Sequence, residues 1–195
     1  MTALVALDQI NPISKINITV PSKDIPYGNV GGLVLGEEIL ASDLLWPLLL
    51  ESSNHSAFIL GHRMGLNNFV NQMNKRAISL KLAKTSFVDP AGIGDGNVST
   101  TEDIFKLVRH IFFEKNYIFS ITREKQFRSG NHLWKNNNHF VSREDFLGGK
   151  SGQTNLAKQA FVNIFEHYFD NSRRRIVIIV LRSEDRDRDT INLRQ

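Results

Sequence analysis

A run of six apolar residues constrains the fold of this chain more than any other segment. Residues 176–181 read Ile-Val-Ile-Ile-Val-Leu, with an arginine on either side. β-Branched side chains favour extended backbone, and an uninterrupted apolar run is typical of a strand buried on both faces. The sequence therefore predicts a central β-strand at residues 175–182, and the fold must place a sheet around it.

Helical spacing of apolar residues fills much of the first half. We expect helices over residues 2–8, 42–51, 55–64 and 67–80. A further helix is predicted from apolar residues at the same spacing, namely Ile104, Leu107, Val108, Ile111 and Phe112. The segment Ser99 to Glu102 precedes it and fits a capping box, in which a hydroxyl and a carboxylate satisfy the first free amides of a helix.

Short strands are predicted on both sides of this helical block. Their ranges are residues 15–20, 117–121, 126–128, 147–151 and 160–165. Strands at both ends imply that the N- and C-terminal strands share one sheet, which the helices cover. The sequence predicts one α/β domain of the α+β kind over residues 1–195, with a mainly antiparallel sheet. Residues 183–189 are charged and begin a final helix.

The amino-acid composition excludes several classes of function. The chain has no cysteine, which excludes disulfides, thiolate zinc sites and a cysteine nucleophile. None of its six histidines occurs in an HExxH arrangement, so we expect no metal and no other cofactor. The net charge of +4 is spread along the chain, so we expect no nucleic-acid partner. Arg173 to Arg175 could touch an anionic polymer, but a solvated turn before a strand is the favoured interpretation.

Two polar triplets could supply part of a serine hydrolase site. Such a site needs a nucleophile, a proton carrier, an oxyanion hole and a positive group for an anionic substrate. Ser52-Ser53-Asn54 lies where a predicted helix breaks, and Lys150-Ser151-Gly152 lies on a predicted strand, where the glycine lets a ligand approach the backbone. Taken alone, Ser52 and Asn54 are better explained as helix-terminating caps, and Lys150 as a solvated lysine at a strand end.

The surroundings of the triplets resemble one family in order and register. Residues 48–57 are similar to its "LLL-x-SGN-DAA" segment, and residues 84–92 to its "K-N-T-x-F-x-N-P-x-G" loop. Residues 99–103 resemble "S-T-A-x-D", and residues 149–154 resemble "L-K-T-G-x-T". The family is the serine-type D-Ala-D-Ala carboxypeptidases, which are low-molecular-mass penicillin-binding proteins. The resemblance implies a β-lactamase/transpeptidase-like fold.

Catalytic roles follow from the resemblance for Ser52, Asn54 and Lys150. Ser52 would relay a proton to the leaving D-alanine, and Asn54 would hydrogen-bond the substrate's peptide or acyl side chain. Lys150 would draw the terminal carboxylate of the substrate by its positive field.

The residues that follow Lys150 would complete the substrate-binding strand. Ser151 stands where threonine is usual and keeps a hydroxyl that can donate to the carboxylate. Gly152 keeps the strand edge open, Gln153 would lend a backbone N–H to the oxyanion hole, and Thr154 matches the last position of the motif.

The resemblance also predicts what this segment lacks. Residues 1–7 are similar to the stretch that follows the family's nucleophile, and no serine in the chain has a lysine three positions later. We therefore expect the nucleophilic Ser-x-x-Lys to precede Met1, the domain to be incomplete at both ends without its first strands, and this chain alone to be inactive. The chain shows no signal peptide, and any membrane anchor would lie beyond Gln195.

The implied partners are peptidoglycan stem peptides ending in D-Ala-D-Ala, with β-lactams as inhibitors. The implied place is the periplasmic or extracellular face of the cytoplasmic membrane. A related DD-endopeptidase, a β-lactamase, or a non-catalytic remnant that only binds peptidoglycan are the alternatives.

The chain departs from the family pattern in three places. They are His55, where aspartate is common, Gly149, which replaces a larger residue, and the more charged segment 163–175.

Overall fold

The computed structural model describes residues 1–28, 30–170 and 172–194. The α-helices in this part of the chain are α1 Thr2–Gln9, α2 Asn54–Met64, α3 Leu66–Ser79, α4 Thr101–Glu114, α5 Tyr117–Arg123 and α6 Arg186–Asn192. The strands are β1 Lys15–Asn17, β2 Glu38–Leu40, β3 Gln126–Ser129, β4 His132–Lys135, β5 Phe146–Thr154, β6 Lys158–Phe169 and β7 Ser172–Ser183. A single π-helical turn, Pro47–Glu51, precedes α2.

The described strands form antiparallel sheets beside a helical block, which confirms the predicted fold class. The largest sheet has the order β5-β6-β7, and the pairs β1-β2 and β3-β4 form two further sheets. In the β5-β6-β7 sheet, Lys150 lies opposite Val162, and Val162 lies opposite Ile179 on its other side. One face of this sheet packs on the helices through Val162, Ile164 and Val177. The other face carries an aromatic cluster that includes Phe146, Phe161 and Phe165.

The predicted position of the apolar run at residues 176–181 is wrong. Among the described strands, β6 is the central one and β7 lies at the edge of the sheet. Ile178 and Val180 are buried, whereas Leu181 is 37% exposed. β-Branched residues favour extended backbone whether one face or both are covered, so the run identified a strand without fixing its place.

The predicted sharing of one sheet by the N- and C-terminal strands is also wrong. Strand β1 pairs only with β2 in the described part of the chain, with Ile16 opposite Ile39. Both side chains are buried in the core of the helical block. Hydrophobic contact with the helices, rather than pairing with β7, therefore determines where this strand lies.

Three local assignments in the helical part of the chain differ from their predictions. Residues 117–121, predicted as a strand, belong to helix α5, because Ile118, Phe119, Ile121 and Thr122 are buried at helical spacing. Helical structure in the predicted segment 42–51 starts only at residue 45 and becomes a π-helix at Pro47. Helix α4 is capped by Thr100, whose side chain accepts from the N–H of Asp103, and not by the predicted Ser99.

The loop of residues 84–92 is held by carboxylates. Asp89 accepts hydrogen bonds from the backbone N–H groups of Ala91, Gly92 and Gly94 at 2.6–2.7 Å. Burial alone would raise the pKa of Asp89, but these hydrogen bonds outweigh it and lower the pKa. Asp103 fixes the other end, accepting from the N–H of Lys84 at 2.7 Å. The family-like loop is therefore a structural support for α4.

Candidate active site

Ser52 stands at a sharp corner of the backbone. The π-helix ends there because Ser52 adopts a left-handed conformation, with φ 60° and ψ 41°. This region is unfavourable for a residue with a Cβ and is found mostly where the surroundings impose it. The next residue, Ser53, is buried and caps α2 by accepting from the N–H of Ser56 at 3.2 Å. The corner therefore leaves Ser52 half-buried at the surface while Ser53 anchors it.

The two triplets meet in space although they lie far apart in the chain. The ammonium of Lys150, on strand β5, donates to the hydroxyl oxygen of Ser52 at 2.7 Å across 98 positions of sequence. The same ammonium also donates to the carbonyl oxygen of Ser151. Lys150 is thus held on the sheet side of a cleft whose other side is the Ser52 corner.

The electrostatics of the cleft are positive. Burial, and then the charge of Arg186, lower the pKa of Lys150 to about 8. Arg186 donates to the carbonyl oxygen of Gly152 at 3.0 Å. Among the described residues, no carboxylate lies within salt-bridge distance of either cation. Two uncompensated cations beside one strand favour an anionic ligand.

Asn137 joins the two sides of the cleft beneath Lys150. Its N–H donates to the carbonyl oxygen of Leu50 at 3.0 Å, just before the Ser52 corner. Its side-chain oxygen accepts from the hydroxyl of Ser151 at 2.8 Å. A carboxylate that is to receive the Ser151 proton would therefore compete with Asn137 for it. Sequence reasoning missed Asn137 and Arg186, because neither lies in a segment with a distinctive pattern.

The end of strand β5 is open at Gly152. A Cβ added to this glycine would meet no atom within 4 Å, so a ligand can approach the backbone there. Gln153 is exposed. The hydroxyl of Thr154 accepts from the N–H of Ala157 at 3.0 Å and so stabilises the turn into β6. Of the predicted binding residues, Thr154 is the one whose side chain is occupied by a turn.

Asn54 and His55 support the loop that faces the corner. The side-chain amide of Asn54 donates to the carbonyl oxygen of Pro26 at 3.0 Å. His55 is buried, and its Nε2 lies 2.7 Å from the carbonyl oxygen of Val20. The departure at His55 therefore replaces a polar family residue with one that binds the backbone of the preceding loop.

A buried amide pair explains the departure at Gly149. A Cβ at Gly149 would lie 2.4 Å from the side-chain oxygen of Asn163 and 2.5 Å from the carbonyl oxygen of Val162. That Asn163 oxygen accepts from the side-chain amide of Asn138 at 2.8 Å, and both asparagines are buried. The two amides occupy the volume that a larger residue before Lys150 would need.

Two other kinds of site are absent from the described part of the chain. No group of three or more histidine, aspartate or glutamate residues there could hold a metal ion. No helix in residues 1–28, 30–170 and 172–194 is both long and apolar enough to cross a bilayer.

Comparison with known proteins matches this geometry to one family. The family model for D-alanyl-D-alanine carboxypeptidase matches residues 1–184. A D-alanyl-D-alanine endopeptidase of Escherichia coli is 32% identical over 178 residues, which are 86% of this chain and 54% of the relative. The chain therefore spans about half the length of that relative.

Solved structures agree in fold. The crystal structure of a D-alanyl-D-alanine carboxypeptidase from Mycobacterium tuberculosis matches with a TM-score of 0.77 at 30% identity, covering 92% of this chain and 70% of that one. A penicillin-binding protein of Listeria monocytogenes in its cefotaxime-bound form matches with a TM-score of 0.83 at 25% identity, covering 99% and 81%. By its family match, its relatives and its fold, the chain belongs to the D-alanyl-D-alanine carboxypeptidase family.

Proposed function

We propose that the natural protein containing residues 1–195 is a serine-type D-Ala-D-Ala carboxypeptidase. It removes the terminal D-alanine from peptidoglycan pentapeptides through an acyl-enzyme. The observation that carries this proposal is the 2.7 Å contact between the Lys150 ammonium and the Ser52 hydroxyl at the edge of an open strand. β-Lactams would inhibit it, and the Listeria relative has been solved in a cefotaxime-bound form.

Ser52 and Lys150 act together in proton transfer. Lys150 donates to the Ser52 oxygen, so the Ser52 hydroxyl keeps its own proton for the leaving amine. With a pKa of about 8, Lys150 is mostly protonated at neutral pH and can resupply that proton. Its charge, with that of Arg186, would also attract the substrate's terminal carboxylate. Asn54 would hydrogen-bond the acyl part of the substrate.

The strand from Lys150 to Thr154 would hold the D-alanine terminus. Ser151 would donate to the carboxylate after release from Asn137, and Gly152 leaves room for the peptide. The N–H of Gln153 would form half of the oxyanion hole. Thr154 would contribute by fixing the turn at the end of the strand rather than by direct contact.

The nucleophile would come from outside residues 1–195. No serine in the chain has a lysine three positions later. Burial, and then the charge of Lys150, lower the pKa of the Met1 α-amino group to about 6. A segment joined to Met1 would therefore enter the fold beside Lys150. We propose that such a segment carries the Ser-x-x-Lys, and that this chain is one catalytic domain, incomplete at both ends and inactive alone.

A DD-endopeptidase is the second candidate, because the Escherichia coli relative bears that name. The two activities share a catalytic site and differ in whether the substrate is a free pentapeptide or a cross-linked dimer. In either case we propose that the protein works at the periplasmic or extracellular face of the cytoplasmic membrane, where peptidoglycan lies. A β-lactamase would release penicillin quickly, and a non-catalytic remnant would never bind it covalently.

A fluorescent penicillin tests this proposal. We expect covalent labelling of the natural protein, with the acyl group mapped by mass spectrometry to a serine outside residues 1–195. The isolated chain 1–195 should remain unlabelled, because Lys150, the basic group that contacts Ser52, is mostly protonated at neutral pH and does not take the Ser52 proton. An acyl group on Ser52, or a natural protein that is never labelled, would overturn the proposal.

A further inference from the structure

A groove lies between the C-terminal end of α4 and the hairpin of β6 and β7. Its volume is about 510 Å³, and it is lined by Phe113, Glu166 and Arg173 to Arg175. The register sets Tyr168 opposite Arg173 and Glu166 opposite Arg175. Because alternate residues of a strand share a face, these four side chains lie on one face of the sheet. None of them belongs to the Ser52–Lys150 cleft.

The groove carries an excess of positive charge. Glu166 is the one carboxylate among its lining residues, and it forms an ion pair with Arg173. Neither Arg174 nor Arg175 forms a salt bridge within the described part of the chain. The guanidinium of Arg175 lies 5.0 Å from the ring centroid of Phe112. This stacking holds Arg175 in place. The N–H edge of its guanidinium can still form two parallel hydrogen bonds to a carboxylate.

Exposed aromatic rings border the same groove. Phe113 is 68% exposed and Tyr168 is 67% exposed. Large exposed apolar side chains grouped beside charged ones mark interaction surfaces more often than isolated ones do. An aromatic wall suits the apolar face of a sugar ring, and the guanidinium groups suit carboxylates. Both chemical groups occur together in a glycan strand whose sugars carry peptides with free carboxylates.

The groove is aligned with the cleft along strand β6. Lys150 lies opposite Val162, and Arg175 lies opposite Glu166, four residues further along β6. At about 3.3 Å per residue, the two places are separated by roughly 13 Å along the strands and by two strand spacings, roughly 10 Å, across them, and the helical block packs on the sheet face between them.

We propose that this groove is a second binding site for the peptidoglycan strand, separate from the site that takes the D-Ala-D-Ala terminus. The proposal rests on the proposed function, because it takes peptidoglycan as the substrate. Arg175 binds a carboxylate of a stem peptide, and Phe113 packs against the glycan. A flat bilayer fits less well, since the groove is concave and contains the Glu166 carboxylate.

Cosedimentation with purified sacculi tests the groove without requiring catalysis. The probe protein is chain 1–195, and the test variant is Arg175→Gln. The matched control is Arg128→Gln, which removes the same charge from an exposed arginine elsewhere. We expect the hairpin variant to raise the Kd for sacculi about tenfold and the control to change it less than twofold. Phe113→Ser, on α4, is a second variant that should weaken binding several-fold.

Three results would contradict the groove proposal. The first is an equal loss of affinity for sacculi in the hairpin variant and the control, and the second is unchanged binding in both the hairpin and the Phe113 variants. The third is tighter binding of the protein to phosphatidylglycerol vesicles than to sacculi. Penicillin labelling of the natural protein separates the two proposals. If the hairpin variant is labelled by penicillin normally but loses sacculus binding, the groove proposal is supported. If the natural protein is not labelled but still binds sacculi, only the carboxypeptidase proposal is contradicted.

Discussion

Replacing Lys150 with alanine is expected to lower the second-order rate of penicillin acylation by two to three orders of magnitude, roughly the loss seen when one preorganised charge-stabilising donor is removed. The substitution removes the donor to Ser52 and the cation that faces the ligand carboxylate. Arg186 remains, but it is turned toward the carbonyl oxygen of Gly152. The rate is measured with a fluorescent penicillin on the natural protein containing residues 1–195.

Lys158→Ala provides the matched control for Lys150. Lys158 pairs with Glu184 at the far end of the β5–β6 turn, so its loss removes the same charge without touching the cleft. We expect less than a twofold change in rate. A Lys150→Ala protein that folds normally and is acylated within threefold of the parent rate would show that the Lys150–Ser52 contact is not part of the reacting site.

The largest expected loss of stability comes from Trp134→Ala. Trp134 is 1% exposed, and its Nε1–H donates to the carbonyl oxygen of Gly31 at 2.7 Å. Its ring stacks between those of Phe127 and His132, with centroids 6.2 and 5.1 Å away. Truncation leaves a cavity and an unpaired carbonyl, so we expect the free energy of unfolding to fall by about 3–5 kcal/mol.

Urea unfolding of chain 1–195, followed by circular dichroism, measures this loss. Trp134→Phe keeps an aromatic ring and removes the indole N–H, so we expect it to cost about 1–2 kcal/mol, mostly from the unpaired carbonyl of Gly31. A Trp134→Ala variant that loses less than 1 kcal/mol would mean that strand β4 does not hold the Gly31 loop against the helical block.

The sequence was most informative where one periodicity extended over several turns. Helices α2 and α3 were predicted to within two residues, because long amphipathic patterns leave little choice of structure. Residues 117–121 were assigned to a strand because a short apolar run fits both periods. The place of β7 in the sheet depends on which strands pair, and pairing is decided by contacts between distant residues that no local pattern reports.

The residues of the candidate site show the same contrast between local patterns and distant contacts. Ser52 and Lys150 were identified because each lies in a short, distinctive segment whose surroundings resemble one family. Asn137 and Arg186 were missed because their contacts, to Ser151 and Gly152, span 14 and 34 positions. An asparagine in a polar run and an arginine in a charged segment look the same in sequence whether they face a cleft or solvent.

The pH dependence of acylation tests the central claim, that the Lys150 ammonium acts on the ligand at the Ser52 corner. The pKa of Lys150 is lowered to about 8, so its charge is present below that pH and is lost as the pH rises through it. We expect the acylation rate of the natural protein to fall roughly tenfold between pH 7 and pH 9, and the Lys150→Ala variant to lack this fall. A decline of equal size in both proteins would contradict the account.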